Sequence, residues 1–261
     1  MGGNLEARLV GYPINGKEIS FRLIGAFGRG AEKEGRLFSM EASGTVITDA
    51  HAIFYGVMPE SFAVYQEVLR RAYRFYYIDH SYFFAARNQQ YRISYCAEQC
   101  TGWARERPDK LEALGVKIQP WRKNGEHVLI AAQSDWWYER HGIPDWVAAT
   151  KWILSQITRR PVRVRRKPRD PKKPEKPLAD DLADCWAVVV HSSTVATEAL
   201  IAGVPVIVAG ASAYGPMTTN IQKIDDPYLP PHREDFLAML AGNQWTEAEM
   251  ESGEAWRAIH S

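Results

Sequence analysis

The feature that most constrains this chain is a repeated alternation of short apolar runs and helix-like stretches across residues 126–208. Glu126–Ala132 (EHVLIAA), Trp186–Val190 (WAVVV) and Val204–Val208 (VPVIV) are largely unbroken apolar runs, the pattern of strands buried on both faces of a parallel sheet. Val162 and Val164 alternate with Arg163 and Arg165, as in a strand with one wet face. Pro144–Thr158 carries Trp146, Val147, Ile153, Leu154 and Ile157 in a helical stretch. Leu178–Ala183 reads as a short helix, and Val195–Ala202 as a helix ended by Gly203. Strands separated by helices predict a Rossmann-like α/β domain over about 126–225.

The first 125 residues are less regular. Ile19–Phe27 and Thr45–Thr48 read as strands, Ala52–Val57 is an apolar run, Ser61–Tyr73 is helical, and Phe75–Ile78 is a strand leading into Asp79-His80. The tail reads as helices over Asp235–Leu240 and Thr246–Ile259, the second opened by a Thr246-to-Glu249 capping box. The expected fold is therefore α/β. It has a Rossmann-like domain over 1–125, a second over 126–225, a cleft between them, and C-terminal helices over 226–261 packing back on the first domain.

Composition narrows the function classes. The chain has 261 residues, 46% hydrophobic and 24% charged, which excludes a disordered or collagen-like protein. Cys96, Cys100 and Cys185 are too few and too scattered for a disulfide scaffold, and Cys96 and Cys100, four apart, have no second Cys or His pair at zinc-ligand spacing. No apolar run approaches the roughly 18 residues of a membrane span, and the start lacks a signal-peptide pattern; the expectation is a cytoplasmic protein with no membrane partner. The net charge is +1, yet residues 159–176 hold ten Lys/Arg against Asp170 and Glu175, a local +8, leaving −7 elsewhere. The prolines at 168, 171, 174 and 177 make its second half an exposed loop.

The segment WAVVVHSSTVATEALIAGVP (186–205) concentrates the chemistry. A strand ends at His191 and passes through Ser192, Ser193 and Thr194 into a helix, placing hydroxyls and unpaired N–H groups where open α/β sheets bind anions. The plainer alternative is that Ser193 or Thr194 only caps the helix. Glu198 is placed to accept from ribose hydroxyls, or is a solvated glutamate. Arg163, Arg165 and Lys167 can neutralise phosphates, or belong to a solvated basic loop. Asp79 and His80 at a strand end are equipped to deprotonate a hydroxyl, or form a turn; Asp49 and His51 are a second such pair. Gly25, Gly28 and Gly30 spell Gly-x-x-Gly-x-Gly, not the dinucleotide order. Trp136, Trp137 and Tyr138 can stack on a base or sugar, or pack an interface. No metal-ligand cluster is visible.

The run Ser192-Ser193-Thr194, Glu198-Ala199-Leu200, Gly203-Val204-Pro205-Val206 resembles the nucleotide-binding half of GT-B glycosyltransferases. The resemblance covers about 80 residues. It implies a minimal GT-B-like fold and a nucleotide-sugar donor, a UDP-sugar foremost, with no permanently bound cofactor. His191, Ser192, Ser193, Thr194, Arg163, Arg165 and Lys167 would hold the diphosphate and Glu198 the ribose. Asp79, with His80, would activate the acceptor from the first domain. The small size and basic loop are similar to bacteriophage enzymes that glycosylate hydroxymethylated pyrimidines, which implies DNA as a partner through residues 159–176. Two alternatives stand beside it. One is a glycosyltransferase or epimerase of surface polysaccharide; the other is a non-catalytic nucleic-acid-binding protein on the same scaffold.

Overall fold

A computed structural model describes residues 8–99, 106–166 and 176–261. In chain order the elements are β1 (Arg8–Gly11), α1 (Glu18–Lys33), β2 (Phe38–Met40), β3 (Ala50–Tyr55), α2 (Pro59–Arg70), β4 (Phe75–His80), β5 (Gln90–Tyr95) and α3 (Pro108–Ala113). There follow β6 (His127–Ala131), α4 (Asp135–Arg140), α5 (Trp146–Ile157), β7 (Val162–Arg165), α6 (Leu178–Leu182), β8 (Cys185–Val190), α7 (Val195–Ile201) and β9 (Val206–Val208). The chain closes with α8 (Arg233–Gly242), β10 (Gln244–Thr246), α9 (Glu247–Glu251) and α10 (Glu254–His260). It divides into two compact units, Met1–Leu114 with Ala238–Ser261, and Gly115–Leu237.

The first unit is built on a six-stranded sheet in the order β10-β5-β4-β3-β1-β2. Strands β2, β1, β3 and β4 run parallel, β5 runs antiparallel to β4, and β10 antiparallel to β5. Leu9, Ile53, Tyr76, Ile78, Tyr91 and Ile93 on one face pack with α1 and with Met250, Trp256 and Ile259 of the tail helices. The other face packs Val10, Phe54, Phe75 and Tyr77 against Val64, Tyr65 and Val68 of α2.

Ile19–Phe27, expected as a strand, forms the first half of α1. Ser20, Leu23, Ile24, Phe27, Gly28 and Ala31 lie along one buried stripe at the 3.6-residue period, and Gly25, Ala26 and Gly30 widen the buried face beyond it. The Gly25/Gly28/Gly30 run is accordingly helix and not a ligand loop. A Cβ on Gly28 would run into the Phe38 ring, and one on Gly30 into the Met250 carbonyl, so glycine allows β2 and α9 to press against α1. The contact is framed by the Arg22–Glu247 and Arg29–Glu251 ion pairs, each at 2.9 Å. Residues 45–48, also expected as a strand, lie outside any strand; β3 begins at Ala50. The expected helix over Thr246–Ile259 is two helices, parted at Gly253, whose φ is +85°.

The second unit holds a four-stranded, all-parallel sheet in the order β7-β6-β8-β9. Every residue of β6 is buried. Val128, Ile130, Ala187, Val189 and Ile207 pack with Tyr138, Val147 and Leu154 of α4 and α5. Helix α7 ends in a Schellman turn: the Val204 amide donates to Ala199 O at 2.8 Å and the Gly203 amide to Leu200 O at 3.2 Å. Gly203 has φ +74°, and Pro205 then leads into β9, so Gly-Val-Pro-Val here stops a helix and starts a strand.

Among the described residues no helix is long and apolar enough to cross a membrane.

Candidate functional site

The carboxyl ends of the parallel strands gather the residues that carried the sequence argument. His191 follows β8 directly, Gln133 and Ser134 follow β6, and Ala209 and Gly210 follow β9. The Gly210 amide donates to His191 O at 2.9 Å. Ser192 is buried, its hydroxyl 3.5 Å from Gln133 Oε1, which links the ends of β6 and β8. The His191 ring lies 4.9 Å from Trp137 and 5.7 Å from Trp146, centroid to centroid. Trp137 also stacks on His141 at 3.7 Å. Burial, with the nearby His141 charge as a second cause, holds the His191 imidazole below its ordinary pKa.

The Ser193 hydroxyl accepts from the Val195 amide at 3.3 Å, so it serves the start of α7, and Thr194 is the N-cap residue with no side-chain capping bond. Glu198 is half-buried one turn into α7. Beside it, wholly buried Thr197 bonds the Tyr214 hydroxyl at 2.8 Å, anchoring the helix to the segment after β9. No sequence motif marks this pair, because Tyr214 reaches α7 only through the tertiary fold.

The basic residues divide differently from expectation. Arg165 is paired with Asp181 at 2.6 Å, and Lys176 shares that carboxylate at 2.7 Å. Arg166 pairs with Asp135 at 2.9 Å. Arg165 ends edge strand β7, two strands from β8, so its backbone stands about 10 Å from that of Val190. Arg163 is exposed but lies one side-chain repeat back from the strand end, opposite Leu129. Neither arginine is brought against Ser192–Thr194 by strand register. Lys167 and the rest of the basic loop through 175 lie outside the described residues.

Of the aromatic run, Tyr138 is core: it is buried, stacks on Trp146 at 5.5 Å, and its hydroxyl oxygen accepts from the Gln133 amide at 3.1 Å. Trp137 is the one that meets His191. An open pocket of about 760 Å³, lined by residues that include Glu126, Arg159, Arg160 and Asp225, opens at the opposite, amino-terminal pole of this sheet. None of the expected donor residues lines it.

In the first unit Asp79 and His80 end β4. The Asp79 carboxylate is fully engaged: Oδ1 accepts from the His80 amide at 2.7 Å and Oδ2 from Arg92 at 2.5 Å. Arg92, only 7% exposed, also donates to His80 O at 2.8 Å and lies over the Tyr82 ring. The His80 Nε2 stands 3.4 Å from the Tyr55 hydroxyl; burial, then the Asp79 charge, raises that phenol's pKa. Sequence reading missed Arg92 because the pairing depends on the β4–β5 register, which sets Asp79 opposite Arg92. Asp49 and His51 sit at the amino end of β3, the pole away from Asp79. His51 packs near the Tyr76 and Tyr95 rings, its pKa lowered by burial. Among the described residues no group of three or more His, Cys, Asp or Glu is placed to hold a metal ion.

No family model matches the chain, and no curated protein matches it. Solved structures do. Thermosulfurimonas dismutans KpsC, beta Kdo 2,7 transferase, is similar with a TM-score of 0.55 at 11% identity, over 97% of this chain and 99% of that one. Thermosulfurimonas dismutans KpsC, beta Kdo 2,4 transferase, is similar with a TM-score of 0.54 at 13% identity, over 92% of each chain. At such identities the likeness is one of fold: the chain has a two-domain, glycosyltransferase-like α/β fold.

Proposed function

We propose that this protein is a glycosyltransferase that moves a sugar from a nucleotide-activated donor to a hydroxyl of a saccharide acceptor. The observation that carries the reading is the cluster of His191, Ser192 and Gln133 at the carboxyl edge of an all-parallel sheet, within a fold shared with sugar transferases. That edge is where open α/β sheets take their ligands. His191, Ser192, Ser193 and Thr194 contact the donor phosphates and Glu198 the ribose. Asp79 with His80 activates the acceptor hydroxyl, Arg92 orienting the carboxylate. Two solved structures similar to this chain are named for Kdo transfer, which makes Kdo the first donor sugar to test.

The saccharide acceptor is preferred over DNA because three described cations beside the basic loop are already tied to carboxylates, Arg165 and Lys176 sharing Asp181 and Arg166 pairing with Asp135. DNA glycosylation through residues 159–176 is the second reading, favoured by the local +8. The deciding experiment incubates the protein with nucleotide-activated Kdo, UDP-sugars and GDP-sugars, first with oligosaccharide acceptors and then with hydroxymethylated duplex DNA, and reads product masses. A glycosylated oligosaccharide supports the proposal. A heavier nucleoside from digested DNA moves the acceptor to DNA, and a failure to release nucleotide or bind donor refutes both.

A further inference from the structure

The imidazole of His191 rests directly on Gly210. A Cβ built at Gly210 would overlap the ring, running into Cε1, Nδ1 and Nε2 together. The backbone at Gly210 lies outside the left-handed region, so alanine is conformationally acceptable there and the imidazole is the obstacle. Trp137 and Trp146 pack on the same ring. Within this cage Nδ1 is buried and has no hydrogen-bond partner among the described residues. A proton on Nδ1 would be an orphaned buried donor, whereas an orphaned lone pair is the less costly defect. The neutral ring therefore carries its proton on Nε2.

We propose that Gly210, with Trp137, is a positioning residue that fixes His191 as a neutral Nε2–H donor for an anionic phosphoryl oxygen of the donor nucleotide. This deepens the reading given under Proposed function and rests on it for the identity of the ligand; the ring's placement does not. The glycine is the floor of the site: it lets the imidazole rest against the turn after β9 with Nδ1 sealed, Nε2 being the ring nitrogen left for a ligand. Any side chain at 210 lifts the ring, admits a partner to Nδ1 and mixes the tautomers.

The test pairs nuclear magnetic resonance of ring-labelled histidine with titration of a panel of nucleoside mono- and diphosphates. Wild-type His191 is expected to show Nε2-protonated shifts. Gly210→Ala should move those shifts toward a tautomer mixture and weaken the tightest nucleotide tenfold or more. Added to His191→Ala, Gly210→Ala should cost no further affinity, because it acts only through the ring. Should Gly210→Ala fail to fold, Trp137→Leu must produce the same shift change. Unaltered His191 shifts in Gly210→Ala overturn the positioning, and so does a full extra loss in the double variant. If the wild type binds no nucleotide while the shifts behave as described, the donor reading fails and the ring placement stands.

Discussion

The carboxylate of Asp79 and the guanidinium of Arg92 meet at 2.5 Å across the ladder between β4 and β5, in direct register. The arginine is nearly buried and its other terminal nitrogen holds the His80 carbonyl. One side-chain pair thus fixes both the strand end and the backbone of the adjacent histidine.

Asp79→Asn is expected to lower stability by about 2 kcal/mol, since it leaves a buried guanidinium without its counter-charge. Sugar transfer should fall much further than that loss explains, and nucleotide affinity should hold. Urea denaturation, titration and turnover on the same variant separate these; wild-type turnover would remove Asp79 from the acceptor site.

Glu198→Ala should weaken nucleotide binding about tenfold to a hundredfold, the worth of a hydrogen bond to a charged group, with the protein still folded. Calorimetric titration checks it, and an unchanged affinity takes Glu198 out of the ribose site.

Gly203→Ala should destabilise the protein by about 2 kcal/mol or more. A side chain at φ +74° is strained, and its methyl would run into the Pro120 carbonyl. A midpoint equal to the wild type's would show that the Schellman turn bears no such load.

Stability should fall as pH drops below about 6.5, the ordinary value for histidine. His51, His127, His191 and His260 all have pKa values lowered in the fold, burial being the largest cause in each. The unfolded chain therefore binds protons that the native one refuses: their contribution is whole above 6.5 and is lost progressively toward the depressed native values. His260 bonds the Tyr76 hydroxyl at 2.8 Å and the Trp256 carbonyl at 2.7 Å, so His260→Gln should flatten part of the slope between pH 7.5 and 5. Urea midpoints across that range measure it.

The parallel sheet of the second unit was legible because strands buried on both faces cannot hide: VLIA and WAVVV admit few other readings. Helix α1 was not, because ISFRLIGAF is dense enough in apolar residues to pass for a strand, and its glycines suggest a loop until Phe38 and Met250 are seen against them. At the site, His191 and Ser192 could be placed by the end of a strand alone. Arg92, Gly210 and Tyr214 could not, since each reaches its partner through register or packing between segments far apart in the chain.

The final strand of the first unit's sheet, β10, arrives late. Gln244 and Gln90, which share a side-chain hydrogen bond, are 154 residues apart, and the entire second unit is synthesised between them. That second unit is one continuous stretch of chain, so it can fold on the ribosome while β5 still shows its open edge, Tyr91 and Ile93 included. Such an edge is a template for pairing with other chains. Slowed elongation or a loss of the last thirty residues would therefore appear as aggregation of the nascent protein well before any defect in sugar chemistry.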